Sequence, residues 1–244
     1  MTVCTKPPLE FISAVSGGDL DDFDEIGQHL FDLIRGRCNV KPGDHILDIG
    51  SGCGRVAIPF TSYLSGGKYD GFDVVLPMVE WCREYITSRY PNFQFNHADL
   101  SNTLYSKSGA SAAHYVFPYA DNMFDVVFAT SVFTHLMPDS AIQYAKETAR
   151  VLKPTGLALL TFFILNDNTR AKRAAGIDIV PFKYNKGDYS LESEENPEAV
   201  IAFEQPKAFD MLYSGGLMIN DFSPGQWSKN QGWTFQDAFL VSKR

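Results

Sequence analysis

The run His45-Ile46-Leu47-Asp48-Ile49 leads directly into Gly50-Ser51-Gly52-Cys53-Gly54. No other feature of the chain restricts its fold as much. A short, nearly continuous apolar run marks a strand buried on both faces of a parallel sheet. Glycines at alternate positions behind it permit a tight turn and let a ligand approach the backbone with no Cβ in the way. Parallel neighbours need crossover connections, so a helix should follow. One is expected from the glycine turn to about Leu64, bent at Pro59.

The chain keeps to that alternation. Lys68 to Asp73 reads as a second strand, and Pro77 opens a helix with Val79, Cys82 and Ile86 on its buried stripe. Phe93 to Asn96 and Phe124 to Ala129 read as the third and fourth strands. A helix from Pro138 and a turn at Lys153-Pro154-Thr155-Gly156 lead to a fifth, Leu157 to Phe163. This repetition predicts the α/β class, with a doubly wound parallel sheet and right-handed crossovers. Ahead of it, Phe23, Ile26, Leu30, Leu33 and Ile34 share one face of a helix over Asp21 to Arg35. Residues 1–38 are therefore expected to form an N-terminal helical extension. Ser101 to Tyr115 reads as a long loop, and residues 166–199, which lack a clean period, as an insertion or lid. Pro206 to Tyr213 reads as a helix. Leu217 to Phe222 and Thr234 to Val241 read as strands with no helix between them, so they should pair antiparallel. The whole, 1–244, is expected to be a single domain.

The 244 residues suffice to bury a core without disulfides or metals. A net charge of −8 leaves little basic surface for a phosphate backbone, which argues against nucleic acid as a partner. No stretch approaches about 18 consecutive apolar residues, so no membrane span is expected. Cys4, Cys38, Cys53 and Cys82 form no C-x-x-C pair and read as reduced thiols of a cytoplasmic protein. No metal site is legible, because the spacing of Asp121, Asp125 and Asp139 defines no coordination geometry. Oligomeric state is not readable.

In an open parallel sheet, ligands bind beyond the carboxyl ends of the strands. Three features stand there: the glycine turn, Asp73 and Asp99. A carboxylate at Asp73 can accept from both hydroxyls of a ribose, and one at Asp99 from the exocyclic amine of adenine. Each alone also reads as a cap or turn residue; together they describe a nucleoside site. A dinucleotide fingerprint would be G-x-G-x-x-G. The spacing here is G-x-G-x-G, and Asp48 precedes the first glycine by two positions. That carboxylate would repel a pyrophosphate and would suit an ammonium group. A NAD-dependent oxidoreductase is therefore the weaker alternative.

These residues resemble the class I S-adenosylmethionine (SAM)-dependent methyltransferases. Ile46 to Arg55 resembles the family's glycine-rich first motif, Gly71-Phe72-Asp73 its ribose-binding strand end, and Ala98-Asp99-Leu100 its adenine-binding turn. Phe117 to Val127 resembles the approach to its fourth strand, and Arg150 to Gly156 the turn before its fifth, with Thr155 where a glycine is usual. The resemblance implies a Rossmann-like, seven-stranded sheet, mostly parallel, with a C-terminal antiparallel hairpin. It implies SAM as cofactor and S-adenosylhomocysteine as product. Gly50 and Gly52 would flank the methionine moiety, with Asp48 near its amino group. Asp73 would hold the ribose, Val74 would pack on the adenine, and Asp99 and Leu100 would border the adenine edge. Thr130 would lie near the methionine or the acceptor.

The implied activity is methyl transfer to a small-molecule acceptor by direct displacement, a hydroxyl being preferred. A hydroxyl benefits from a positioned base, and His135 is the candidate; its other reading is a histidine that packs or caps beside Pro138. Phe182, Tyr184, Tyr189 and Trp227 read either as pocket lining or as a satellite core. A SAM-binding protein without turnover is the remaining alternative.

Overall fold

The computed structural model describes residues 6–16, 22–101, 109–177 and 180–244. Its main sheet has seven strands: β1 His45–Ile49, β2 Lys68–Asp73, β3 Phe93–His97, β4 Phe124–Ala129, β5 Leu152–Phe162, β6 Leu217–Ser223 and β7 Asp237–Lys243. Their order is β6-β7-β5-β4-β1-β2-β3. β1 and β3 both run parallel to β2, whereas β7 runs antiparallel to both β5 and β6. The expected doubly wound, mostly parallel α/β sheet with a C-terminal antiparallel hairpin is the sheet observed. The sequence order reverses between β4 and β1, which is the topological switch point.

Two compact units make up the chain: residues 1–99 with 124–128, and residues 100–123 with 129–244. The first holds β1 to β3, most of β4, and helices α1 Leu9–Ser16, α2 Phe23–Arg37, α3 Ala57–Phe60 and α4 Leu76–Cys82. Its β1 is apolar because Ile46, Leu47 and Ile49 are fully buried. An aromatic core fills one side. Phe31 meets Phe60 edge-on at 4.7 Å, and Tyr69 stacks on Phe93 at 5.0 Å. On α2, Phe23, Leu30, Phe31 and Ile34 form the buried stripe. The helix expected from the glycine turn to Leu64 shortens to α3. Pro59 has no N–H to offer the Arg55 carbonyl, and Thr61, Tyr63 and Leu64 close separate turns onto Ala57 and Phe60. α4 opens with Pro77 in its first turn and continues as one π-helical turn, Arg83–Thr87.

The second unit holds α5 Pro138–Val151, β5, α6 Asp167–Ala174, α7 Gln205–Ser214 and the β6–β7 hairpin. Phe162 is its hub, stacked on Phe133 at 4.5 Å and edge-on to Phe239 at 5.3 Å. Lys153 to Gly156, expected as a turn, is the extended start of β5. The ladder with β7 covers Leu157 to Phe162, so the expected strand is its paired portion. The segment approaching β4 is clamped from α5: Glu147 accepts the Phe117 amide at 2.7 Å, and Arg150 donates to the Phe117 and Tyr119 carbonyls.

Residues 166–199 contain regular structure whose elements are too short to show a period. Asn166 and Thr169 form a reciprocal cap at the start of α6. Tyr184–Asn185 and Tyr189–Leu191 join Ile201–Glu204 and Ile164–Leu165 in a four-stranded sheet. Within the expected loop, Leu100–Ser101 pairs parallel with Ala110–Ser111, and Ala112–His114 forms a 3-10 turn; residues 102–108 of that loop lie outside the described residues. Among the described residues, no helix is long and apolar enough to cross a membrane.

Candidate functional site

The first unit assembles the glycine turn from backbone bonds. Both the Gly50 and Ser51 amides donate to the Phe72 carbonyl, at 2.9 and 3.0 Å, which folds the chain after β1 against the end of β2. Gly52 sits at φ +51, and a Cβ there would touch only Val15 Cγ1, at 3.0 Å. The left-handed backbone and the open flank together favour glycine at that position.

Asp73 locks this turn. Its Oδ2 accepts the Gly52 amide at 2.7 Å and its Oδ1 accepts the Val75 amide at 2.8 Å. Burial raises its pKa; the Val75, Gly52 and Val74 amides and nearby His97 act in the opposite direction. Each carboxylate oxygen has two lone-pair sites, so both retain capacity for a ligand hydroxyl. The neighbouring Val74 is half-buried, and its carbonyl lies 3.2 Å from His97 Nε2.

Asp48 lies at the floor of the turn, 2% exposed. Tyr69, on β2, donates its phenolic O–H to Asp48 Oδ2 at 2.6 Å. Burial pushes the Asp48 carboxyl up to about 7, against the lowering effect of that hydrogen bond; Asp73 raises it and Arg55 lowers it by charge. Arg55 is itself anchored, donating from Nη1 to the Val15 carbonyl at 2.8 Å. Two carboxylates at a glycine turn would repel a pyrophosphate. They fit a nucleoside that carries positive charge, which is the chemistry of SAM, with its ammonium and sulfonium.

The first unit thus brings together Asp48, Gly50, Gly52, Asp73 and Val74. Asp99 stands exposed just past β3, where the Ala98 amide donates to the Asp73 carbonyl at 2.9 Å. Leu100, Thr130 and His135 belong to the second unit. Leu100 is buried in its short strand, and Thr130 is half-buried directly after β4. Ser131 follows at φ +60, and its amide donates to Thr161 Oγ1 at 2.8 Å. Thr161 in turn donates to Gln236 Oε1 at 2.6 Å.

His135 ends the 3-10 turn Phe133–His135, with Nδ1 3.0 Å from the Glu198 carbonyl. A carbonyl only accepts, so Nδ1 carries the proton and Nε2 keeps its lone pair. Desolvation lowers the pKa of His135 below its ordinary 6.5. The backbone of Ala199 also lies against the ring, and a neutral imidazole is the state a general base requires.

The aromatic residues of the second unit divide. Phe182 and Trp227, each 2% exposed, form a small core with Phe163, Leu165 and Ala202. Trp227 Nε1 donates to Asp237 Oδ2, which also accepts the Ile164 amide, while Oδ1 accepts the Gly225 amide; all three bonds are 2.7 Å. Burial pushes the Asp237 carboxyl up to about 6 despite these donors. Phe182 and Trp227 are therefore satellite core. Tyr184 is exposed and Tyr189 half-buried. Asp121 pairs with Arg150 at 2.8 Å, and Asp125 accepts the His45 amide at 2.9 Å.

Sequence reasoning missed Tyr69, Thr161, Gln236 and the Glu198 carbonyl. Tyr69 had one usable signal. Asp48 pairs with Gly71 in the β1–β2 ladder, and Tyr69 lies two residues earlier on the same face. A residue without a side chain opposite Asp48 leaves room for the tyrosine to reach across.

Residues 46–156 match the model of a family described as "Methyltransferase domain". Methyltransferase GfsG of Streptomyces halstedii is 28% identical over 137 residues, 56% of this chain and 44% of that protein. The 27-O-demethylrifamycin SV methyltransferase of Amycolatopsis mediterranei is 30% identical over 144 residues, 58% of this chain and 47% of that protein. The chain thus spans less than half the length of these curated relatives. Among solved structures, the 1,6-didemethyltoxoflavin-N1-methyltransferase of Burkholderia thailandensis, with S-adenosylhomocysteine bound, has a TM-score of 0.58 at 14% identity, covering 98% of this chain and 93% of that one. At that identity the likeness is one of fold. The sheet order, the G-x-G-x-G turn and the family match converge: residues 46–156 match a methyltransferase-domain family, and the fold is the Rossmann-like one of SAM-dependent methyltransferases.

Proposed function

We propose that this chain methylates a hydroxyl of a small-molecule acceptor by direct displacement, with His135 as the base. When bound, SAM supplies a methyl group activated by a sulfonium, which passes to the acceptor oxygen while the C–S electron pair stays on sulfur. Gly50 and Gly52 leave the backbone open to the methionine moiety, Asp48 faces its ammonium, and Asp73 holds the ribose hydroxyls. Val74, Asp99 and Leu100 border the adenine, and Thr130 lies near the methionine or the acceptor. His135 Nε2 takes the proton that the hydroxyl loses as its oxygen bonds to carbon.

The observation that carries the hydroxyl reading is the His135 tautomer. Its Nδ1 lies 3.0 Å from the Glu198 carbonyl, and desolvation lowers its pKa, which favours the neutral ring. An amine acceptor would need only to arrive deprotonated, and would have less use for such a group. The name of the rifamycin relative, which points to O-methylation of a small molecule, supports the same class. The segment 166–199 supplies the Glu198 carbonyl and is proposed to act as a lid over the acceptor. Buried, unpaired Cys38, Cys53 and Cys82 suit a reducing, cytoplasmic setting.

The test is a mass-spectrometric screen of hydroxylated and amine small molecules with SAM. Products heavier by one methyl from hydroxyl compounds, with S-adenosylhomocysteine formed in equal amount, support the reading. Methylation of amines alone would overturn the hydroxyl assignment. Tight binding of SAM with no turnover across the screen would favour a non-enzymatic binder.

A further inference from the structure

We propose that Tyr69 is a positioning residue for the methionyl ammonium of the cofactor, acting through Asp48, and that the pair makes cofactor uptake proton-linked. This rests on the reading of the glycine turn as the SAM site. The geometry is specific. Tyr69 is fully buried and Asp48 nearly so, and a single 2.6 Å hydrogen bond joins the phenol to Oδ2. A buried carboxylate is costly to ionise unless hydrogen bonds or an opposite charge compensate. At Asp48 burial outweighs the compensation from Tyr69 and Arg55.

The charged and titratable groups around Asp48 are few. Tyr69 comes from β2, Asp73 from the end of β2, and Arg55 from beyond the turn. Cys82 comes from α4. Asp73 opposes ionisation, and Arg55 favours it from a position already tied to Val15. Cys82 stays a neutral thiol, because burial holds its pKa well above the ordinary value.

An ammonium arriving at the turn would supply the missing charge. It favours ionised Asp48, so binding below the carboxyl's midpoint of about 7 should release a proton. The Tyr69 hydrogen bond favours the ionised form. It therefore sets how far toward acid pH the site stays receptive, and it fixes which way the carboxylate points.

The experiment is calorimetric titration of the full chain between about pH 5.5 and 8.5 with two ligands, in buffers of different ionisation enthalpy. S-adenosylhomocysteine carries the ammonium; 5′-methylthioadenosine has the same nucleoside without the amino acid. The expected result is proton release and about a tenfold loss of affinity per pH unit below 7 for the first ligand, with a flat profile for the second. Tyr69→Phe should move the decline to higher pH, and Asp48→Asn should remove it. Parallel profiles for the two ligands, or a Tyr69→Phe profile identical to wild type, would overturn the proposal while leaving the cofactor site intact. Failure of the folded chain to bind either ligand would overturn the reading of the site itself, and this proposal with it. If Tyr69→Phe does not fold, absence of proton release by the unmodified chain still overturns the proposal.

Discussion

The Gly52 amide donates to Asp73 Oδ2 at 2.7 Å. One carboxylate thus ties the turn after the first strand to the end of the second, and it is the same carboxylate proposed to hold the ribose. Removing it should damage the shape of the turn and the grip on the nucleoside together. Asp73→Ala is expected to weaken S-adenosylhomocysteine binding by about 100-fold or more, since hydrogen bonds to charged groups contribute about 1.5–3 kcal/mol each. Calorimetric titration checks this, with circular dichroism to show that the fold persists.

Gly71 is held to glycine by its neighbours. A Cβ there would lie 2.9 Å from both Ser51 Cβ and Phe95 Cδ1. Gly71→Ala should cost about 1–3 kcal/mol of stability through overpacking. Adding Ser51→Gly removes one of the two clashes and should recover part of the loss. Chemical denaturation of the single and double variants measures both effects.

For His135, the expected change lies in turnover. His135→Ala should lower kcat by about 10²–10⁴-fold for a hydroxyl acceptor and leave S-adenosylhomocysteine affinity nearly unchanged. The base must be unprotonated, and burial lowers its pKa, so the acid limb of the kcat profile should fall below pH 6.5. A pH–rate profile on the first confirmed acceptor decides it; an acid limb above pH 6.5 would contradict the assignment.

The stability of the ligand-free chain should change with pH in a defined direction. Asp48 and Asp237 have folded pKa values of about 7 and about 6, raised above the ordinary 3.8. A group raised in this way contributes stability that is full below pH 3.8 and is lost as pH rises through the folded value. Between pH 5 and pH 8 these two groups should therefore make the protein less stable as pH rises. Thermal melts across that window test this, and Asp48→Asn should flatten the part of the slope near pH 7.

Trp227→Phe removes one of three donors to Asp237. The carboxylate then stays buried with less compensation, so its pKa rises further. The loss of stability should be about 1–3 kcal/mol at pH 8 and smaller at pH 5, where Asp237 is largely protonated. Denaturation at the two pH values separates this from a pure packing defect, which would be independent of pH.

Much of this protein was settled by local sequence alone. The apolar run of β1, the alternation of strands and helices, and the final pair of strands without a helix between them lead to the observed sheet. The reason is that burial on both faces of a strand and on one stripe of a helix leaves a period in the sequence. The glycine turn and Asp73 were legible too, because left-handed backbone and a strand-end carboxylate are tied to residue type.

Tertiary structure decided what no period encodes. Pro59 shortened α3 where a bent helix was expected. Residues 166–199 gained their sheet from strands of two to four residues, too short to announce themselves. Phe182 and Trp227 became core because Phe163, distant in sequence, packs against both and Asp237 accepts the Trp227 N–H. The His135 ring meets a carbonyl 63 residues away, and the charge state of Asp48 depends on burial, opposed by a phenol 21 residues away. Such bonds depend on which side chains the packed chain brings within reach. Local propensity locates the strand ends, and only the assembled sheet determines what meets there.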